Sequence, residues 1–220
     1  MEVHRLLNPS AEDAARAIAT SSVPIVFEGM LSGWPAAQWN PSFLATTFSG
    51  LRTAVRLQRR SDSCCALEGA CHYESATFAE FYEWQRGSDG ERSAKRARVT
   101  SGLAARPVAT HWGYADYKRY GELFPTSEGG AAPSFQWTRF GLAGVEATED
   151  AHTTVWWGTE GARSHLHYDS YGSNLHAQLS GAKEWLLFSP STQHAALLRP
   201  RRTPYEESSV FSAIDARAAG

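Results

Sequence analysis

The sequence predicts an α+β protein that is mainly β: helices and strands in an amino-terminal part, then short strands of the sandwich or small-barrel kind, such as a jelly roll. Three observations predict it. The 220-residue chain is 42% hydrophobic and 12% aromatic, enough apolar material for one main core. Helix-start chemistry recurs along the stretch that ends at Trp84. From Thr153 onward, short β-prone segments follow one another across gaps too small for crossover helices, which disfavours parallel βαβ winding.

Taken in order, Ser10 with Asp13 three positions on is a capping-box arrangement, and Ala14, Ala17 and Ile18 continue at helical spacing. A first helix is predicted there. VPIVFEG is β-rich and closed by glycine, a strand signal. GWPAAQWN is a turn-rich link into a second helix, with Asn40 as cap and Pro41 at the first helical position. RTAVRLQ is a strand candidate. Thr77 and Glu80 repeat the capping logic, and Phe78, Phe81 and Tyr82 form an apolar stripe that reads as core packing. Residues 87–106 are polar and small, and predict a mobile insertion loop. HWGYADYKRYGELF is dense in aromatics with little periodicity, and SEGGAAPS is a second link. Residues 1–130 thus read as an α/β part and residues 131–220 as a β core built from TTVWWG, SHLHYD, NLHAQLSG and KEWLLFSP.

A formal charge of -2 leaves no clear nucleic-acid surface and no attraction to an anionic membrane. No run approaches the roughly 18 apolar residues of a membrane-spanning helix. Cys64, Cys65 and Cys71 are odd in number and lack paired CxxC spacing, and MEVHRLLNPS has no signal-peptide core. A reduced, cytoplasmic protein is the expectation. KRAR in the insertion is a weak nuclear-import pattern that leaves a nuclear location open.

The chemistry concentrates in HLHYDSYGSN. In an extended strand His165, His167 and Asp169 share one face, with Leu166 and Tyr168 on the other. An imidazole and a carboxylate two residues apart suit a first-row divalent metal. Taken alone, the triplet reads equally as a satisfied polar pair. Lys183 opens KEWLLFSP, where Lys183, Trp185 and Leu187 alternate against Glu184 and Leu186; turned inward the lysine needs a counter-charge such as a ligand carboxylate, and turned outward it is a surface lysine.

The run WWGTEGARSHLHYDSYGSNLHAQLSGAKEWLLFSP resembles the JmjC segment of Fe(II)- and 2-oxoglutarate-dependent dioxygenases. FEGMLSGWPAAQWN, YADYKRYGELF and above all RTPYEESSVFSAID are similar to the heat shock protein beta-1-associated protein 1 group of JmjC proteins. The likeness runs from Val23 to Asp215 and is weakest in the 87–106 insertion. It implies a double-stranded β-helix with amino-terminal helices packed on it. It also implies iron held by His167 and Asp169, with 2-oxoglutarate chelating the metal and its far carboxylate paired with Lys183. Ser164 stands where many members carry a threonine that also reaches that carboxylate, and Asn174 matches the asparagine beside the co-substrate. The implied activity is hydroxylation of a C–H bond, with a protein as substrate. The rival is a non-catalytic cupin-fold module that docks a protein partner such as a small heat-shock protein.

One part of the family pattern has no counterpart. The third ligand is a histidine on a later strand, in a stretch like P-x-x-W-W-H, whereas the histidines after Asp169 are His176 and His194. The expectation is a domain truncated before its closing strands. His176, on the face of Asn174, and His165, where family members commonly carry proline, are the candidate substitute ligands.

Overall fold

Three helices begin where a side chain satisfies unpaired amides. At α1 (Ala11–Thr20), Ser10 Oγ accepts from Asp13 N at 3.1 Å. At α2 (Pro41–Thr47), Asn40 Oδ1 accepts from Phe43 N at 2.9 Å, and Pro41 fills the first position, where no amide partner is needed. At α3 (Phe78–Gln85) the box is reciprocal: Glu80 N donates to Thr77 Oγ1 at 3.1 Å and Thr77 N donates to Glu80 Oε2 at 2.9 Å. A single turn, α4 (Tyr120–Leu123), follows the longest strand. All three expected helices form at their expected caps.

The computed structural model describes residues 2–63, 65–67, 70–89, 101–124, 135–142, 153–170, 172–189, 198–201 and 209–214. Strands β1 (His4–Leu7) and β2 (Ile25–Glu28) pair in parallel. Strands β3 (Arg52–Arg59), β4 (His72–Thr77), β5 (His111–Arg119) and β6 (Thr154–Gly158) form an antiparallel sheet in the order β4-β3-β5-β6. A third sheet joins β7 (His167–Asp169), β8 (Pro200–Arg201) and β9 (Ser209–Ser212), antiparallel, in the order β7-β9-β8. Mainly antiparallel sheets with few helices make a jelly-roll-like α+β fold, as the sequence predicts.

The two faces of the four-stranded sheet have different jobs. Val55, Leu57, Ala115 and Trp157 join Phe78, Phe81 and Trp84 of α3 in the main core. Gly113 lies between them because a Cβ there would meet Trp84 Cζ3 at 2.8 Å and Phe81 Cε2 at 2.9 Å. On the opposite face Trp112, Tyr114 and Trp156 cluster with Cys65, and Arg56 lies against Trp112 and Tyr114. Trp112 through Asp116 are all buried, so a strand covered on both faces shows no alternation, which is why HWGYADY carries no readable period. A bulge between Ala115 and Lys118 shifts the register before pairing resumes at Lys118, with Tyr117 at φ 48° and exposed.

Two expectations are corrected. The end of the 87–106 segment is packed rather than loose: Leu103 is fully buried and Trp84 Nε1 donates to Arg106 O at 2.8 Å. One leucine in a polar run gives no period to read. Residues 90–100, KRAR included, and SEGGAAPS lie outside the described residues. Residues 174–189 contain no strand. Leu175, Ala177 and Leu179 do pack on the core while Asn174, His176 and Gln178 are exposed, so the alternation is present without a neighbouring strand to complete a ladder. No helix among the described residues is long and apolar enough to cross a membrane.

Candidate functional site

Pairing with β9 fixes the short HxD strand. His167 lies opposite Phe211, Tyr168 opposite Val210, and Asp169 opposite Ser209. His167 Nδ1 meets the carbonyl of His165 at 2.6 Å. A carbonyl only accepts, so Nδ1 is the donor nitrogen, and in the neutral form of the ring the lone pair lies on Nε2. That nitrogen lies 3.9 Å from Asp169 Oδ1, and the two side chains are 32% and 23% exposed. Asp169 is held as an acceptor on both oxygens: Ser209 Oγ donates to Oδ1 at 2.9 Å, and Asn174 Nδ2 donates to Oδ2. A lone pair and an oriented carboxylate facing one gap form a donor set that fits a divalent cation. Among the described residues no third His, Cys, Asp or Glu joins them.

The other histidines are engaged elsewhere. His165 directs Nδ1 at Cys65 O, 2.9 Å, and Nε2 at Ser212 O, 2.7 Å. Both ring nitrogens are thus directed at backbone carbonyls rather than at the gap between His167 and Asp169. His176 Nε2 lies 3.0 Å from Gln178 Oε1, and its ring meets Trp185 edge-on at 5.3 Å rather than turning to the HxD pair. Burial lowers its pKa below 6.5, the charge of Lys183 lowers it further, and the Gln178 bond opposes them. His194 lies outside the described residues.

Lys183 is exposed along its stem, but its ammonium is tucked under rings. Nζ donates to Tyr114 Oη at 3.2 Å and lies 4.5 Å from the Trp185 ring centroid, 5.6 Å from Trp156 and 5.9 Å from Tyr114. Desolvation lowers its pKa from 10.5. The ammonium therefore sits on the polar face of the four-stranded sheet. No carboxylate is paired with it among the described residues. Ser164 is exposed just ahead of β7, with no side-chain hydrogen bond among the described residues.

Beneath Tyr114, Arg56 and Asp116 form a buried ion pair, with Nε and Oδ2 2.7 Å apart and side chains 0% and 5% exposed. Arg56 Nη2 also donates to Arg163 O at 3.1 Å. Burial alone would lower the guanidinium pKa, but Asp116, then Cys71 and Cys65, outweigh it and the pKa is raised. The arginine stays charged.

The structure thus brings His167, Asp169 and Asn174 together, and sets Lys183 against the sheet that precedes them. Tyr114, Trp156, Ser209 and Phe211 complete these surroundings and were not legible as site residues. Tyr114 was hidden in an aromatic run. Ser209 and Phe211 belong to the RTPYEESSVFSAID motif, whose specificity was the one available signal.

The cupin-like domain family (Cupin_8) matches residues 10–219. HSPB1-associated protein 1 of Homo sapiens is 34% identical over 205 residues, covering 93% of this chain and 39% of the relative. The Danio rerio homolog is 36% identical over 208 residues, covering 93% and 42%, and the Bos taurus protein is 34% identical over 208 residues, covering 93% and 40%. The chain spans about two fifths of the length of these relatives. No solved structure matches it.

Proposed function

This chain belongs to the cupin-like, JmjC-type domain family, and from that premise we propose that it is part of an Fe(II)- and 2-oxoglutarate-dependent oxygenase that hydroxylates a protein. The observation that carries the reading is the His167–Asp169 pair, with Nε2 3.9 Å from Oδ1 of a carboxylate whose two oxygens each accept from one side-chain donor. His167 and Asp169 would hold the metal, and Asp169 would offset one of its two charges. When bound, iron with 2-oxoglutarate supplies dioxygen activation and C–H oxidation. The chain's own part is orientation and exclusion of water. Lys183 Nζ, already on Tyr114 Oη, is the cation for the far carboxylate of a dicarboxylate, and the aromatic faces around it partly desolvate it. Ser164, on its exposed approach to β7, is a weaker candidate for the same carboxylate.

A second reading, a non-catalytic module that docks a protein partner, is favoured by one feature: Trp185, Leu186, Leu187 and Phe188 are 53%, 48%, 47% and 46% exposed. The name of the relatives suggests a small heat-shock protein as that partner. The two readings separate in one assay. The full-length protein, given Fe(II), is expected to convert 2-oxoglutarate to succinate, and Asp169→Ala to fall to background. Equal turnover by the two would remove iron from Asp169. A wild-type protein without turnover that captures a small heat-shock protein through residues 185–188 would favour the docking module.

A further inference from the structure

The strand opposite the HxD pair does more than complete a ladder. β9 sets Ser209 across from Asp169 and Phe211 across from His167. Ser209 Oγ donates to Oδ1, the carboxylate oxygen that faces His167 Nε2, at 2.9 Å. Asn174 occupies Oδ2. A carboxylate oxygen has two lone pairs, so the hydroxyl fills one on Oδ1 and leaves the other directed at the gap shared with Nε2. On the same strand the Phe211 ring packs on His167 with centroids 5.2 Å apart and planes at 34°, which fixes the imidazole plane. Strand pairing itself needs only backbone, and Val210 and Phe211 already supply the buried apolar surface of β9. The hydroxyl at 209 is left with the carboxylate as its partner.

We propose that Ser209 is a positioning residue for the metal pair: it aims the Asp169 carboxylate at the point His167 Nε2 also faces. This gives Ser209, within the RTPYEESSVFSAID motif, a role at the metal pair. The inference rests on the metal reading given above, and partners of this outer kind typically contribute about 10–100-fold to metal affinity.

The test is a Co(II) titration of the full-length protein followed by its visible absorption. Ser209→Ala is expected to weaken Co(II) affinity about 10–100-fold and to shift the absorption band, with Ser209→Thr, which keeps the hydroxyl, restoring both. A merely structural serine would lower the melting midpoint and leave the Co(II) spectrum of the folded protein unchanged. If Ser209→Ala does not fold, Ser209→Cys keeps the shape with a weaker donor and carries the same comparison. Wild-type affinity in the folded variant, or equal losses in the Ala and Thr variants, would overturn the proposal. Asp169→Ala separates it from its premise: if that variant binds Co(II) as the wild type does, the metal reading falls too. If Asp169→Ala loses Co(II) while Ser209→Ala keeps it, only the role of Ser209 is lost.

Discussion

Replacing Asp116 by asparagine removes one charge from the most buried ion pair without opening a cavity. Arg56 is 0% exposed and cannot shed its proton, so the guanidinium remains in the interior with a thiol, the Arg163 carbonyl and the rings of Trp112 and Tyr114 around it. Breaking a buried pair by removing one partner costs about 3–5 kcal/mol. The remaining carbonyl bond and ring faces stabilise the orphaned cation, so the lower end, about 3 kcal/mol, is expected. For a chain of this length each kcal/mol moves the melting midpoint by about 2–4 °C, giving a fall of roughly 6–12 °C. Urea unfolding followed by circular dichroism measures the same loss as a lower midpoint at unchanged slope. The double variant Arg56→Met with Asp116→Leu removes both charges and is expected to regain most of the stability, since desolvation cost about offsets attraction in such pairs. A single variant within about 1 kcal/mol of wild type, or a double variant worse than the single, would refute the assignment of the loss to a stranded charge.

Two further outcomes follow from local contacts. Because the folded His176 pKa lies below 6.5, the unfolded chain binds more protons as pH falls through 6.5, and stability is lost on acidification; His176→Gln is expected to show a smaller fall in melting midpoint between about pH 7.5 and about pH 5.5, and an equal fall would contradict the shift. Thr77→Ala breaks the reciprocal cap of α3 and is expected to cost about 1 kcal/mol, read as a lower urea midpoint.

What could be read from the sequence divides by the range of the interaction. The caps at Ser10, Asn40 and Thr77 act over three residues, and each lies where it was expected. The HxD pair was legible for the same reason, since period two puts His167 and Asp169 on one face of any strand. Their supports were not. Ser209 lies 40 residues beyond Asp169 and reaches it only through the β7–β9 register, and Tyr114 lies 69 residues before Lys183. Asn174 and His176 do share a side, as expected, but a shared side reports which side chains are covered, and a ladder also needs a neighbour.

The four-stranded sheet explains why chemistry could gather where it did. Adjacent residues of β5 serve opposite purposes: Ala115 packs among the aromatics beneath α3, while Tyr114 and Asp116 turn to the side that holds Arg56 and the Lys183 ammonium. Gly113 lets α3 approach closely enough to cover the apolar side. Rings of Trp112 and Tyr114 then shield the ion pair from water, which raises the cost of any unpaired charge on that face. A dicarboxylate arriving at Lys183 would therefore meet a cation already stripped of part of its hydration and held by Tyr114. The desolvation that lowers the Lys183 pKa in the free protein is the same condition that strengthens its pairing with a bound carboxylate.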